Sequence, residues 1–176
     1  MLRSGRGLIV HPDGLIERIE SAFSWRSLPA RVLDGPLPGD ELPDGSEPYG
    51  VGPWKEYNLT DFIYREIQGK TWMQVQVPVF VMPIYDLTKQ AFCYYLPAFL
   101  IYNLRTDNAF DTLDGFLRYP SPIRTTVYSE EYKYGLRDEL TMAERQCIAD
   151  YMVHLKEKCE FDARDIGFWR PGEGGV

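Results

Sequence analysis

The stretch Ala91–Leu104 reads AFCYYLPAFLIYNL, and it decides how the rest of the chain is organised. No charged residue interrupts it, and Asn103 carries its only strongly polar side chain. Thr88 stands where an N-cap belongs, its hydroxyl placed to accept from an N–H of the first helical turn. With Thr88 as the cap, Leu87 and Phe92 take the two positions of a hydrophobic staple. Phe92, Leu96, Phe99 and Asn103 share one face, widened by Tyr95, Leu100 and Tyr102. A helix apolar nearly all round belongs in a core or a membrane. Fourteen residues fall short of the roughly 20 that span a bilayer, so the sequence predicts a core helix. Pro97 lacks an N–H and predicts a kink, or two short helices meeting there.

Working outward, the elements before and after this stretch are mostly helical. His11-Pro12-Asp13 opens a first helix, with Leu15, Ile16, Ile19, Ala22 and Phe23 on one stripe. Trp25 and Leu28 are expected to continue that contact until Pro29. Asn58 is a candidate cap for a short helix carrying Leu59, Phe62, Ile63 and Ile67, with Gly69 as its left-handed terminator. Trp72–Tyr85 alternates as a strand would, although Pro78 and Pro83 confine it to an edge. Its candidate partner is Ile123–Tyr128, giving a small two-stranded ribbon. Asp107 is placed to cap a helix that buries Phe110, Leu113 and Leu117. Thr141 and Glu144 have capping-box spacing, and Cys147, Ile148, Tyr151, Met152 and Leu155 follow as a buried stripe. Phe161, Ile166, Phe168 and Trp169 are expected to dock a last short helix, with 170–176 a flexible tail.

One segment differs in kind. Asp34–Pro53 holds five Pro, five Gly and five acidic residues in twenty, with no Lys or Arg. Such a composition buries too little apolar surface to offset its ordering entropy, which predicts a long acidic surface loop. The expected fold is therefore mainly α: a compact single-domain helical bundle over 1–176, around a buried Pro-kinked helix.

Charge narrows the function classes. A net charge of −7 and a pI near 4.9 oppose binding to duplex nucleic acid, which needs clustered Lys and Arg. The same charge attracts a basic partner. Three cysteines are an odd number. Cys147 and Cys159 sit about 18 Å apart along one predicted helix, too far to bridge within it. Arg3 and Arg6 imitate the start of a secretory signal, but the apolar run Leu8–Val10 is too short for one. A reduced, cytoplasmic compartment follows as the expectation.

Catalytic patterns are weak throughout. Gly69-Lys70-Thr71 matches the end of a phosphate-binding loop, but Tyr64 stands where the first glycine of that motif belongs. Asp150 and His154 are four apart on one helix, which suits a surface ion pair better than a catalytic couple. Cys93 lies among apolar neighbours as a small hydrophobe. No zinc-ligand spacing occurs. Asp107, Asp111 and Asp114 share a helical face and make a weak candidate for a divalent cation, with a solvated face and an Asp114–Arg118 pair as the alternative. No cofactor is implied.

The run Leu87–Leu100, LTKQAFCYYLPAFL, resembles the marker of an uncharacterised bacterial family, L-[ST]-x-[EQ]-A-F-x-Y-Y-L-P-A-[FY]-L. Similar proteins carry an early I-x-x-A-F helix, matched by Ile19–Phe23. They also carry an L-[ST]-x-x-[EQ]-x helix near the C-terminus, approximated by Leu140–Arg145. The resemblance implies small bacterial cytoplasmic proteins and supplies no catalytic residues. The leading functional expectation is an inhibitor or immunity-type protein that binds a basic protein. Its candidate contact residues are Asp40, Glu41, Asp44, Glu47, Glu130, Glu131, Tyr132 and Tyr134. The alternatives are a carboxylate-using enzyme or ligand-binding protein, and a structural subunit of a larger assembly.

Overall fold

The computed structural model describes residues 12–32, 67–75, 87–106, 113, 116–118 and 130–172, the side chains of 130–133 excepted. Among these residues the protein is mainly helical and no strand occurs. The helices are α1 (Pro12–Phe23), α2 (Lys89–Thr106), α3 (Glu130–Glu139), α4 (Met142–His154), α5 (Lys156–Cys159) and α6 (Ala163–Trp169). The chain divides into two compact units, one of Met1–Ser24 with Leu100–Val176 and the other of Trp25–Phe99. The boundary at Phe99 falls inside α2.

Within the Trp25–Phe99 unit, the predicted cap is made. The Thr88 hydroxyl oxygen accepts from the Ala91 N–H at 3.0 Å and donates to the Arg31 carbonyl at 3.1 Å. The Thr88 N–H reaches the Val32 carbonyl at 2.9 Å, so one threonine starts α2 and ties it to the preceding segment. Leu87 and Phe92, the staple positions, are both fully buried. Tyr95 places its hydroxyl between the carbonyls of Lys70 and Ile67, at 3.0 and 3.1 Å, and donates its proton to that pair.

Pro97 does not divide α2; a single helix runs through it rather than two short ones. A proline inside a helix costs about 3 kcal/mol. Each fully buried large apolar side chain returns roughly 1.5–3 kcal/mol, and every residue from Ala91 to Ile101 is buried. Packing therefore outweighs the proline.

Gly69 has φ +79°, the left-handed conformation expected of it, in a turn where the Lys70 N–H bonds the Ile67 carbonyl at 2.9 Å. Residues 72–74 form a turn, not the start of a strand, closed by the Gln74 N–H on the Thr71 carbonyl at 2.9 Å. The remainder of the strand candidate and its partner at Ile123–Tyr128 lie outside the described residues, as does the expected helix from Asn58.

In the other unit α4 is central, packing on α1 and α6. Leu15, Ile16, Ile19 and Phe23 of α1 are buried as the stripe predicts. Trp25 and Leu28 correct the expectation that this contact continues: they are 61% and 42% exposed. The helix has already ended at Phe23, where the Ser24 hydroxyl turns back to the Ser21 carbonyl, so the helical phase is lost. The Arg26 guanidinium lies over the Trp25 ring, 4.9 Å from its centroid.

The Thr141–Glu144 capping box forms as read, with the Thr141 N–H on the Glu144 carboxylate at 2.7 Å and the Glu144 N–H on the Thr141 hydroxyl at 3.2 Å. A second box opens α6. Asp162 accepts from the Arg164 and Asp165 N–H groups, and the Asp165 carboxylate accepts from the Asp162 N–H. Between the two, α5 ends at Glu160 in the left-handed conformation, φ 52° and ψ 37°. Leu113, Phe116 and Leu117 are helical and buried. The Leu117 carbonyl accepts from the buried Trp169 indole at 2.7 Å, which fixes α6 against them.

Candidate interaction surface

The candidate contact residues divide by position. Asp40, Glu41, Asp44 and Glu47 lie outside the described residues. Glu130, Glu131 and Tyr132 form the first turn of α3. Tyr134, one residue past Lys133, is 39% exposed and meets Phe168 edge-on with ring centroids 5.3 Å apart. Phe168 in turn packs edge-on against Trp169 at 5.0 Å. Tyr134 is thus a partly exposed aromatic anchored on the buried Phe168 of α6. Arg137, one turn further along α3, rests its guanidinium over the same Phe168 ring at 5.3 Å. Sequence reasoning missed Arg137, because the aromatic that seats it is about thirty residues away.

The metal candidates Asp107, Asp111 and Asp114 also lie outside the described residues. The expected Asp114–Arg118 pair thus lies outside the described residues; Arg118 itself caps α5, donating to the Cys159 carbonyl at 2.5 Å and the Glu160 carbonyl at 3.3 Å. Its guanidinium is 3.7 Å from the buried Asp165 carboxylate and 5.5 Å from the Phe161 ring. Among the described residues, no group of three His, Cys, Asp or Glu side chains is placed to hold a metal ion.

The Asp150–His154 pair is also corrected. Asp150 gives one carboxylate oxygen to Arg18 at 2.6 Å and the other to Gln146 at 2.8 Å. An arginine fork from α1 wins over an imidazole on the same helix, since it carries a permanent charge at shorter reach. The pair is half exposed on the Arg18 side, so it contributes at most about 1 kcal/mol.

All three cysteines are buried thiols outside any disulfide. Burial pushes the Cys147 thiol up to about 11, the Arg18 charge opposing and Asp150 and Glu144 assisting. The group is therefore a protonated packing thiol and not a nucleophile. The linkage has a definite sign: a thiol held neutral in the fold, but free to ionise near 9 once unfolded, leaves stability intact below pH 9. Stability is then lost as pH climbs from 9 to 11. The loss assignable to this group is roughly 2–3 kcal/mol at 1.36 kcal/mol per unit. Urea titrations across pH 8–11 should show Cys147→Ala less alkali-sensitive than the parent. Parallel curves for the two proteins would remove Cys147 from that response. Burial also raises the Tyr95 phenol, with Tyr94 adding to the effect, and this adds to the lability above pH 10.

At the centre of the same unit, Asn103 is 0% exposed and donates from Nδ2 to the Tyr151 hydroxyl at 2.7 Å. Its Oδ1 is buried with no hydrogen-bond partner. None of the described helices is long and apolar enough to cross a membrane. The chain matches no protein-family model, no curated protein and no solved structure.

Proposed function

We propose that this is a non-enzymatic interaction protein of the inhibitor or immunity type, which engages a basic protein through its acidic residues, those of 34–53 above all. One observation carries the reading: the charge is segregated. Among the described residues Lys and Arg nearly balance Asp and Glu, so the net −7 resides almost entirely in the rest of the chain, 34–53 above all. Charge concentrated in one stretch steers encounter with an opposite surface, while aromatic anchors such as Tyr134 supply contact area. The resemblance to an uncharacterised bacterial family agrees with a small accessory protein in the cytoplasm.

The partner is obtained by pull-down on the tagged protein and identified by mass spectrometry. Reversing Asp40, Glu41, Asp44 and Glu47 to Lys is expected to lower its association rate by roughly tenfold or more at low salt. The dependence of that rate on ionic strength should flatten at the same time. A low-salt association rate that does not change removes the acidic segment from the mechanism.

A further inference from the structure

We infer that α5 is a latch, a locally opening segment that Arg118 holds shut and whose release uncovers the Cys159 thiol while α4 stays folded. The closing contacts are direct. Arg118 donates through both terminal nitrogens to the last carbonyls of the segment, that of Cys159 at 2.5 Å and that of Glu160 at 3.3 Å. Carbonyls at a helix end lack donors within the helix, and a cation is favoured there. The same guanidinium lies 3.7 Å from the Asp165 carboxylate and 5.5 Å from the Phe161 ring. One side chain thus ties the end of α5 to the first turn of α6.

The segment so held is weak by itself. α5 has four residues, too few for a helix to persist without outside support. Lys156, Glu157 and Lys158 are exposed, and Cys159 is its one buried side chain. It ends at Glu160 in the left-handed conformation, which is unfavourable for a residue with a Cβ. Its neighbours are far better held, since α4 buries six side chains and α6 four, Trp169 among them. Opening confined to α5 therefore forfeits little apolar burial, the condition for a low-stability unit within a stable fold. The open state also suits the arginine. Asp165, with 1% of its side chain exposed, stays beside the guanidinium, so no buried charge is stranded when the carbonyls turn to water. At 24% exposure the Arg118 side chain is itself within reach of water, which competes for its donors. The latch belongs to the helical body and depends neither on the acidic segment nor on a partner.

The test is alkylation of the full chain by iodoacetamide, in urea below the unfolding transition, with each cysteine followed by peptide mass spectrometry. Each rate is divided by that of the same thiol in the fully unfolded protein, which gives its protection. Cys159 should be roughly tenfold or more less protected than Cys147 of α4, the ratio expected when one charge-assisted hydrogen bond separates local from global opening. Arg118→Lys keeps the charge and loses the fork, so it should speed Cys159 about tenfold and leave Cys147 unchanged. The inference is overturned if the two thiols share one protection, if Arg118→Lys speeds both alike, or if it speeds neither. The first comparison needs no variant, so it decides the matter even where Arg118→Lys does not fold.

Discussion

Trp169→Ala is expected to cost about 4–5 kcal/mol, the largest loss from any single truncation in the Leu100–Val176 unit. The indole is fully buried, and removing an aromatic of this size from a core costs roughly 3–5 kcal/mol in transfer and cavity terms. Its Nε1–H also holds the Leu117 carbonyl at 2.7 Å, and a buried carbonyl left without a donor adds to the loss. Trp169→Phe separates the two contributions, because it keeps most of the ring volume and loses the hydrogen bond; about 1–2 kcal/mol is expected. Urea unfolding followed by far-UV circular dichroism reads both variants without relying on tryptophan fluorescence. A cost below about 2 kcal/mol for the alanine variant would mean that α6 is not fixed through this residue.

The second large effect is non-additive. In Tyr151→Phe the Asn103 amide loses its one hydrogen bond, while its Oδ1 already lacks a donor at zero exposure. An amide wholly buried and unpaired should cost about 2–3 kcal/mol. Asn103→Leu removes that amide and should cost far less. The double variant Asn103→Leu with Tyr151→Phe should then be more stable than Tyr151→Phe alone, a coupling of about 1–2 kcal/mol. Strict additivity of the two single changes would show that Asn103 and Tyr151 do not act as a pair.

Legibility in the sequence followed the range of the interaction. The Thr88 cap, the left-handed Gly69, the Thr141–Glu144 box and the stripe from Cys147 to Leu155 all rest on neighbours within one or two turns. Each of them is present. The box at Asp162 and Asp165 is just as local, but it uses two aspartates in place of the usual Ser or Thr with Glu, and it passed unread. Partners distant in the chain were invisible. Helical spacing assigned Asp150 to His154, whereas Arg18 takes it from 132 residues away. Arg118 similarly serves the end of α5 and Asp165, both more than forty residues away. At Pro97 two short helices do not form, because the burial that overrides the local penalty is a property of the folded unit. Of the candidate surface, Tyr134 was found from composition. Its seat on Phe168 and its neighbour Arg137 depend on the packing of α3 against α6, which no spacing encodes.

The backbone at Glu160 has a practical corollary. An L-residue with a side chain holds a left-handed turn at a cost of about 1–2 kcal/mol, which glycine avoids. Glu160→Gly should therefore raise the melting temperature, so a directed-evolution screen scored on heat survival alone would discard the acid early.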